Sequence, residues 1–356
     1  MLSRLLSALL LAAGLLLTTT ACTSTLHIRA LAPAAVPMPD NLQRVATANR
    51  ILPMAKRDKF FDVLEGVFTG EGPGVDRAGA DECVNVVGQA LANNSFRFEV
   101  TQAQLQLQGR TREFFLAPLP ARQVQDLCRQ TSVDGLVVLE AFDSDMALSR
   151  AAGERTYKDK EGTEHKVPTV RVEMLMKVVA GFRTYGAAQG YIVDQAQLEE
   201  RLAFGGEGDT YQQALRQLPP PEACIRQVAR RAGDAYARRI APSYVDIQRS
   251  YFTGAKKNAL MRQANLRANT ADWQGAAALW QQAAKNFDPK VAGRAFFNLA
   301  VASEARGNLT EAVAWARKAA HTTDNRAARH YLRELQDRQQ ANQLIAEQLR
   351  SVPTNK

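Results

Sequence analysis

The chain has 356 residues, 46% of them hydrophobic, which is ample for two globular domains. Its four cysteines, Cys22, Cys83, Cys128 and Cys224, contain no C-x-x-C pair, and that excludes the usual spacing of zinc ligands. The net charge of +9 is uneven: from Ile225 onward there are 22 Lys+Arg against 10 Asp+Glu, leaving 23 against 26 before it. The basic half would suit an acidic protein, anionic lipid headgroups or an acidic polymer, or it is simply a set of solvated helix faces.

The first residues address the compartment. Arg4 gives a basic start and Leu5 to Leu17 an apolar run, the layout of a secretion signal. A bilayer-spanning helix needs about 20 apolar residues, so the run is short for one. Thr18-Thr19-Thr20-Ala21-Cys22 resembles the lipobox of bacterial lipoprotein precursors, with Thr19 where that family usually has Leu. The resemblance implies removal of residues 1–21 and acylation of Cys22, an anchor in the membrane without a span. The other reading is an ordinary signal cut near Ala21 with Cys22 incidental. Residues 22–41, with Pro33, Pro37 and Pro39, are expected to form an extended tether. Thr23 after the cysteine, by resemblance to other lipoproteins, favours the outer membrane facing the periplasm. Export also removes nucleic acid from the partners that a basic chain would otherwise suggest.

Residues 42–253 are expected to form one α/β sandwich domain with a mixed or antiparallel sheet. Arg44 to Arg50 reads as a first strand, and Cys83, Val87, Ala90 and Leu91 recur at helical spacing within 78–92. Phe96 to Val100 alternates as a half-buried strand, and Val124, Leu127 and Cys128 share a face of a helix over 121–131. Leu136-Val137-Val138-Leu139-Glu140-Ala141 reads as an apolar run, as in a strand covered on both faces. A hairpin follows, 144–156 and 169–182 around Asp159-Lys160-Glu161-Gly162, and then a strand near 191–202. Gly205-Gly206-Glu207-Gly208 is expected to be a loop, leading to helices through Leu215 and over 222–240 and to a strand at Tyr244 to Arg249. In an oxidising compartment Cys83 and Cys128 are the first candidates for a disulfide, the alternative being three small buried hydrophobes.

This order of elements resembles the small periplasmic domains typified by the curli-secretion lipoprotein and the activator of penicillin-binding proteins. Val45 to Arg50, Asp134-Gly135-Leu136-Val137-Val138 and Arg249-Ser250-Tyr251-Phe252 are similar to a family of uncharacterised Gram-negative lipoproteins that join such a domain to C-terminal repeats. That resemblance implies an architecture and no activity.

Residues 254–356 show self-similarity. Ala264, Asp272-Trp273, Ala276, Trp280 and Ala283 align with Ala300, Asn308-Leu309, Ala312, Ala316 and Ala319 at a spacing of 36. Tetratricopeptide repeats have a period of about 34, and this pattern resembles them, with small residues where paired helices touch. Gly307 is at the turn of the second unit and Ala271 stands in its place in the first. A further helix from Arg326 to about Leu349 would cap the stack. The fold class expected is therefore α+β, an α/β sandwich followed by an all-α tetratricopeptide-like module. The resemblance implies a concave groove lined by Asn258, Met261, Asn265, Asn269, Arg294, Phe297 and Val301, holding a peptide or a partner's tail. Packing explains the same residues as well.

Chemistry is sparse. G-x-S-x-G, H-E-x-x-H and P-loop patterns are absent; Gly70, Gly72 and Gly74 read as a loop, and Asp143-Ser144-Asp145 as a strand-end turn rather than a calcium loop. His27, His165, His321 and His330 are scattered. These features predict no enzyme, no cofactor and no metal. The leading expectation is a membrane-anchored adaptor or scaffold in an envelope complex; the second is a binding module for an acidic envelope polymer; the oligomeric state stays open.

Overall fold

The computed structural model describes residues 23–51, 75–94, 97–102, 107, 114–188, 190–253, 258–322 and 326–350. The leader, Cys22 and the glycines at 70, 72 and 74 lie outside the described residues. Two compact units emerge among the described residues, one within 31–244 together with 345–350, the other within 23–30 together with 245–344. The expected mixed α/β region followed by a run of helices is what the chain forms.

The larger unit is built on a five-stranded sheet. Its strands are β2 (Arg44–Asn49), β3 (Glu99–Gln102), β4 (Gly135–Lys158), β5 (Glu164–Gly186) and β6 (Tyr191–Gly208), in the order β3-β2-β4-β5-β6. β2 runs parallel to both β3 and β4, whereas β4, β5 and β6 form a long antiparallel meander. Helices α1 (Val75–Asn94) and α4 (Pro221–Ile240) cover one face through Cys83, Val87, Leu91, Ile225, Val228 and Tyr236. Helix α2 (Ala121–Thr131) covers the opposite face with Val124 and Cys128 over Leu136, Val138 and Tyr185. The apolar run Leu136 to Leu139 is thus sandwiched between helices, as a two-sided strand must be. α1 and α4 cross closely at Gly233, where an added Cβ would come within 2.4 Å of the Cys83 carbonyl oxygen.

One residue changes the phase of the long strand. The β4–β5 register slips between Leu139 and Ala141, so Glu140 occupies a bulge. Before it, odd residues such as Val137 and Leu139 face α1 and α4; after it, even residues Phe142, Met146 and Leu148 do. An inserted residue shifts alternation in this way, because side chains in a strand repeat every second position. The start of β4 is fixed to β2 by Asp134, whose carboxylate accepts from the Arg44 N–H at 2.8 Å, the Gln43 N–H at 3.2 Å and the Arg44 guanidinium at 2.9 Å.

Several expectations change. The segment expected as a tether is folded: Thr23–Ala32 is strand β1, and Met38 is buried in the core of the larger unit. Gly205 to Gly208 is not a loop but the end of β6, where Gly206 and Gly208 leave room for the short helix α3 (Tyr211–Arg216). Asp143-Ser144-Asp145 lies inside β4, with Lys177 paired to Asp145 at 3.1 Å. Cys83 and Cys128 do flank the same sheet, but on opposite faces; both, with Cys224, are buried free thiols. Burial pushes the Cys128 thiol up to about 11 and raises Cys83 and Cys224 as well, so none is a ready nucleophile.

The smaller unit pairs β1 with β7 (Ser243–Phe252) and adds helices α5 (Ala259–Asn269), α6 (Trp273–Ala283), α7 (Pro289–Ala305), α8 (Leu309–Thr322) and α9 (Arg326–Gln348). α5 packs on α6, and α7 on α8, through Ala264, Ala268, Ala276, Ala283, Ala300, Ala312, Ala316 and Ala319, all buried. The two hairpin turns share one geometry. Ala271 has φ 60° and Gly307 φ 80°; Asp272 N–H donates to the Arg267 carbonyl, and Asn308 N–H to that of Ser303. Asp272 then caps α6 through the Gly275 N–H at 2.8 Å, and Asn308 caps α8 through the Glu311 N–H at 3.1 Å. Each corresponding pair is 36 residues apart, the spacing of the sequence repeat.

Candidate functional site

The residues expected to line a groove in the helical unit fall on α5 and α7, and much of that surface is occupied by the chain's own strand β7. Asn298, fully buried on α7, grips the backbone of Phe252 with both ends of its amide: Oδ1 accepts from the Phe252 N–H at 2.8 Å, and Nδ2 donates to the Phe252 carbonyl at 2.7 Å. The Phe252 ring meets Phe297 edge-on at 5.2 Å between centroids, with the Arg294 guanidinium over it at 5.2 Å. Tyr251 is buried against Trp273 and Trp280 and donates its hydroxyl hydrogen to Asn269 at 2.9 Å. Asn269, Arg294 and Phe297 therefore come together on β7.

The remaining candidates serve the helices. Asn258 caps α5 by accepting from the Met261 N–H at 3.0 Å, and Met261 and Val301 are buried in the core. Asn265 keeps a buried amide oxygen that has no hydrogen-bond partner among the described residues.

Two residues along β7, Arg249 enters a charged pocket. Its Nε donates to Glu304 Oε2 at 2.9 Å and its Nη2 to Oε1 at 3.2 Å, while Glu334 lies 3.5 Å from Nη1. Glu304, on α7, is 1% exposed and also accepts from the Tyr331 hydroxyl at 2.6 Å and from the Arg338 guanidinium, both on α9. Burial, and then the Glu304 charge, raise the Tyr331 hydroxyl far above its ordinary value. Burial works against the Arg249 charge, but the hydrogen bonds it donates to Glu304 outweigh that and raise the group. One acid thus ties β7, α7 and α9 together, and removing one partner of such a buried pair commonly costs about 3–5 kcal/mol.

A second buried acid organises the larger unit. Glu140, at the bulge and 2% exposed, accepts from Arg50 at 3.2 Å and from the Arg183 guanidinium and the Tyr185 hydroxyl. The two arginines also donate to the carbonyls of Ala117 at 2.7 Å and Leu116 at 2.6 Å, fastening that segment to the sheet. Burial first, then Glu140, raises the Tyr185 hydroxyl. The carboxylate and both guanidinium groups are paired, and one buried donor, the Arg50 Nε, has no hydrogen-bond partner among the described residues.

Sequence reasoning passed over Asn298, Glu304 and Glu140, and a signal existed for the two acids. Glu304 continues the stripe Phe297, Ala300, Val301 at helical spacing, and Glu140 interrupts an apolar run. A lone acid at a position whose pattern demands burial announces a buried partner. Among the described residues no group of three or more His, Cys, Asp or Glu is placed to hold a metal ion. No described helix is long and apolar enough to cross a membrane.

Residues 42–252, more than half of the chain, match the family described as a domain of unknown function, DUF8603. The chain belongs to that family. Residues 262–338 match a second domain of unknown function, DUF6340, which covers most of the five helices. The DUF8603 match extends through β7, so the strand gripped by Asn298 belongs by sequence to one domain and by packing to the other unit. No curated protein matches the sequence. Among solved structures, one described as a neuraminyllactose-binding hemagglutinin homolog from Helicobacter pylori is similar at 8% identity and a TM-score of 0.27, covering 57% of this chain and 84% of that one. A likeness at that level carries no argument about fold or ligand.

Proposed function

We propose that this chain is a lipid-anchored envelope lipoprotein whose helical unit is a tetratricopeptide-like module, and that the protein works as an adaptor rather than as an enzyme. The observation that carries the reading is the grip on β7. The end of an extended strand is held against the helices by a two-bond backbone clamp at Asn298 and by side-chain pockets for Arg249 and Tyr251. That combination, backbone bonds for affinity and alternate side chains for selectivity, is how protein surfaces recognise extended peptides in general. The shared geometry of the turns at Ala271 and Gly307 supports a true structural repeat. The lipobox-like Thr18 to Cys22 supports the anchor and the envelope address.

On this reading the strand-gripping surface is already filled in cis, and partners dock on the outer helix faces or on the long meander of the DUF8603 domain. A crosslinked pull-down from intact cells with the acylated protein as bait, washed at low and high salt, tests it. A discrete protein set that survives salt is the expected result. The basic half of the chain favours a second reading, binding of an acidic envelope polymer. Recovery of polymer alone, lost at high salt, would replace the adaptor with that reading.

A further inference from the structure

The connection between α6 and α7 presents an aromatic side chain that the fold does not use. Phe287 is 103% exposed, the most exposed of the large hydrophobic side chains among the described residues. The backbone on both sides of it is hydrogen-bonded. Lys285 N–H and Asn286 N–H donate to the carbonyls of Gln282 at 3.2 Å and Ala283 at 3.1 Å, and the Asn286 amide oxygen accepts from the Asp288 N–H at 2.9 Å. Asp288 then caps α7 through the Lys290 N–H at 2.8 Å, with Pro289 in the first turn. Such a turn holds its tip in place, so the ring is displayed by a structured loop. Lys285 and Lys290, both exposed, flank it, and the exposed Asp288 beside the ring leaves the loop with a net charge of +1.

An aromatic tip between two lysines is the chemistry of a bilayer surface, where the ring enters the boundary of headgroup and acyl chain and the ammonium groups meet anionic headgroups. The same unit contains β1, which begins at Thr23, one residue after Cys22. With no free tether between them, a lipid on Cys22 holds this unit itself at the membrane. We propose that the Lys285–Lys290 loop is a second membrane contact, in which Phe287 inserts into an anionic lipid surface. The proposal rests on the anchored-lipoprotein reading for its biological setting, but the loop's affinity for lipid can be measured without the anchor.

The test uses mature chain, residues 22–356, carrying Cys22→Ala and therefore unacylated, sedimented with vesicles of phosphatidylcholine alone or mixed with phosphatidylglycerol. Binding to the anionic vesicles only is expected, weakened about ten-fold by Phe287→Ala and roughly five-fold for each of Lys285→Gln and Lys290→Gln. Because Phe287 is fully exposed, its variant keeps the parent's melting temperature, and loss of binding reports the contact. Absence of binding to anionic vesicles, or equal binding by parent and Phe287→Ala, overturns the proposal. Mass spectrometry of the N-terminal peptide from cells separates the two ideas. Acylated Cys22 with no vesicle binding by the unacylated chain sinks the loop alone; unmodified Cys22 with Phe287-dependent binding sinks the anchor alone.

Discussion

Replacing Asn298 with Ala probes the grip on β7 directly. The amide makes two short bonds to one backbone residue, in a position with no solvent exposure, and water cannot take over either bond without opening the unit. Each lost hydrogen bond costs about 0.5–1.5 kcal/mol net, and a buried group left without a partner costs about 1–3 kcal/mol. Stranding both the N–H and the carbonyl of Phe252 should therefore destabilise the helical unit by roughly 2–4 kcal/mol, after crediting Ala with a helix propensity better than Asn by about 0.6 kcal/mol. Urea unfolding followed by circular dichroism gives the total, and amide exchange at residues 249–252 locates it. An intermediate loss is expected for Asn298→Asp, which keeps the acceptor for the N–H but places an anion against the carbonyl. An unchanged urea midpoint together with parental exchange at Phe252 would refute the clamp.

Other perturbations address other links. Ala271 holds a left-handed conformation that Gly adopts freely, so Ala271→Gly should stabilise the first hairpin by about 1 kcal/mol in thermal melts; destabilisation would mean that the methyl is needed there. Burial works to raise the Asp134 carboxyl, but the Arg44 guanidinium and the backbone N–H groups of Arg44 and Gln43 outweigh it and hold the group below the usual carboxylate range. A carboxyl depressed in the folded state contributes stability that is present above its unfolded value of about 3.9 and is lost as pH falls through the folded value. Asp134→Asn should thus weaken the protein at neutral pH, and its deficit against the parent should shrink below about pH 4. A deficit independent of pH argues against the charged contact. Cys22→Ala should move the protein from the membrane fraction to the soluble fraction with an unchanged melting temperature; retention in the membrane would remove the anchor from consideration.

Local patterns made most elements legible. Period-two alternation at Val170, Val172, Met174 and Met176 marked β5, and helical spacing of Val124, Leu127 and Cys128 marked α2. Harder to see was whatever depended on a distant partner. β4 runs 24 residues, but the bulge at Glu140 inverts its alternation, so the sequence reads as two unrelated pieces. Gly205 to Gly208 suggested a loop because glycine usually does. Here it stays in the strand because α3 packs too closely for a side chain at Gly206 or Gly208. Thr23–Ala32 alternates at Leu26, Ile28 and Ala30, but it follows the leader directly and its prolines lie just beyond it, so it passed for a tether until β7 supplied its ladder. The groove candidates fall on or beside α5 and α7, and Asn269, Arg294 and Phe297 touch the strand, yet nothing local revealed that Asn298 holds its backbone, because the strand itself comes from outside the repeat.

The pairing of β1 with β7 has a consequence for how the molecule is made. Roughly two hundred residues separate these strands, and the whole five-stranded sheet lies between them in the chain. A growing polypeptide releases β1 first, and it must wait with an open hydrogen-bonding edge until β7 has been synthesised. Contacts of such high sequence separation form slowly, because the chain must be brought together before they return any stability. Maturation of the helical unit should therefore be the late event in folding, with the edge of the N-terminal strand left open until then.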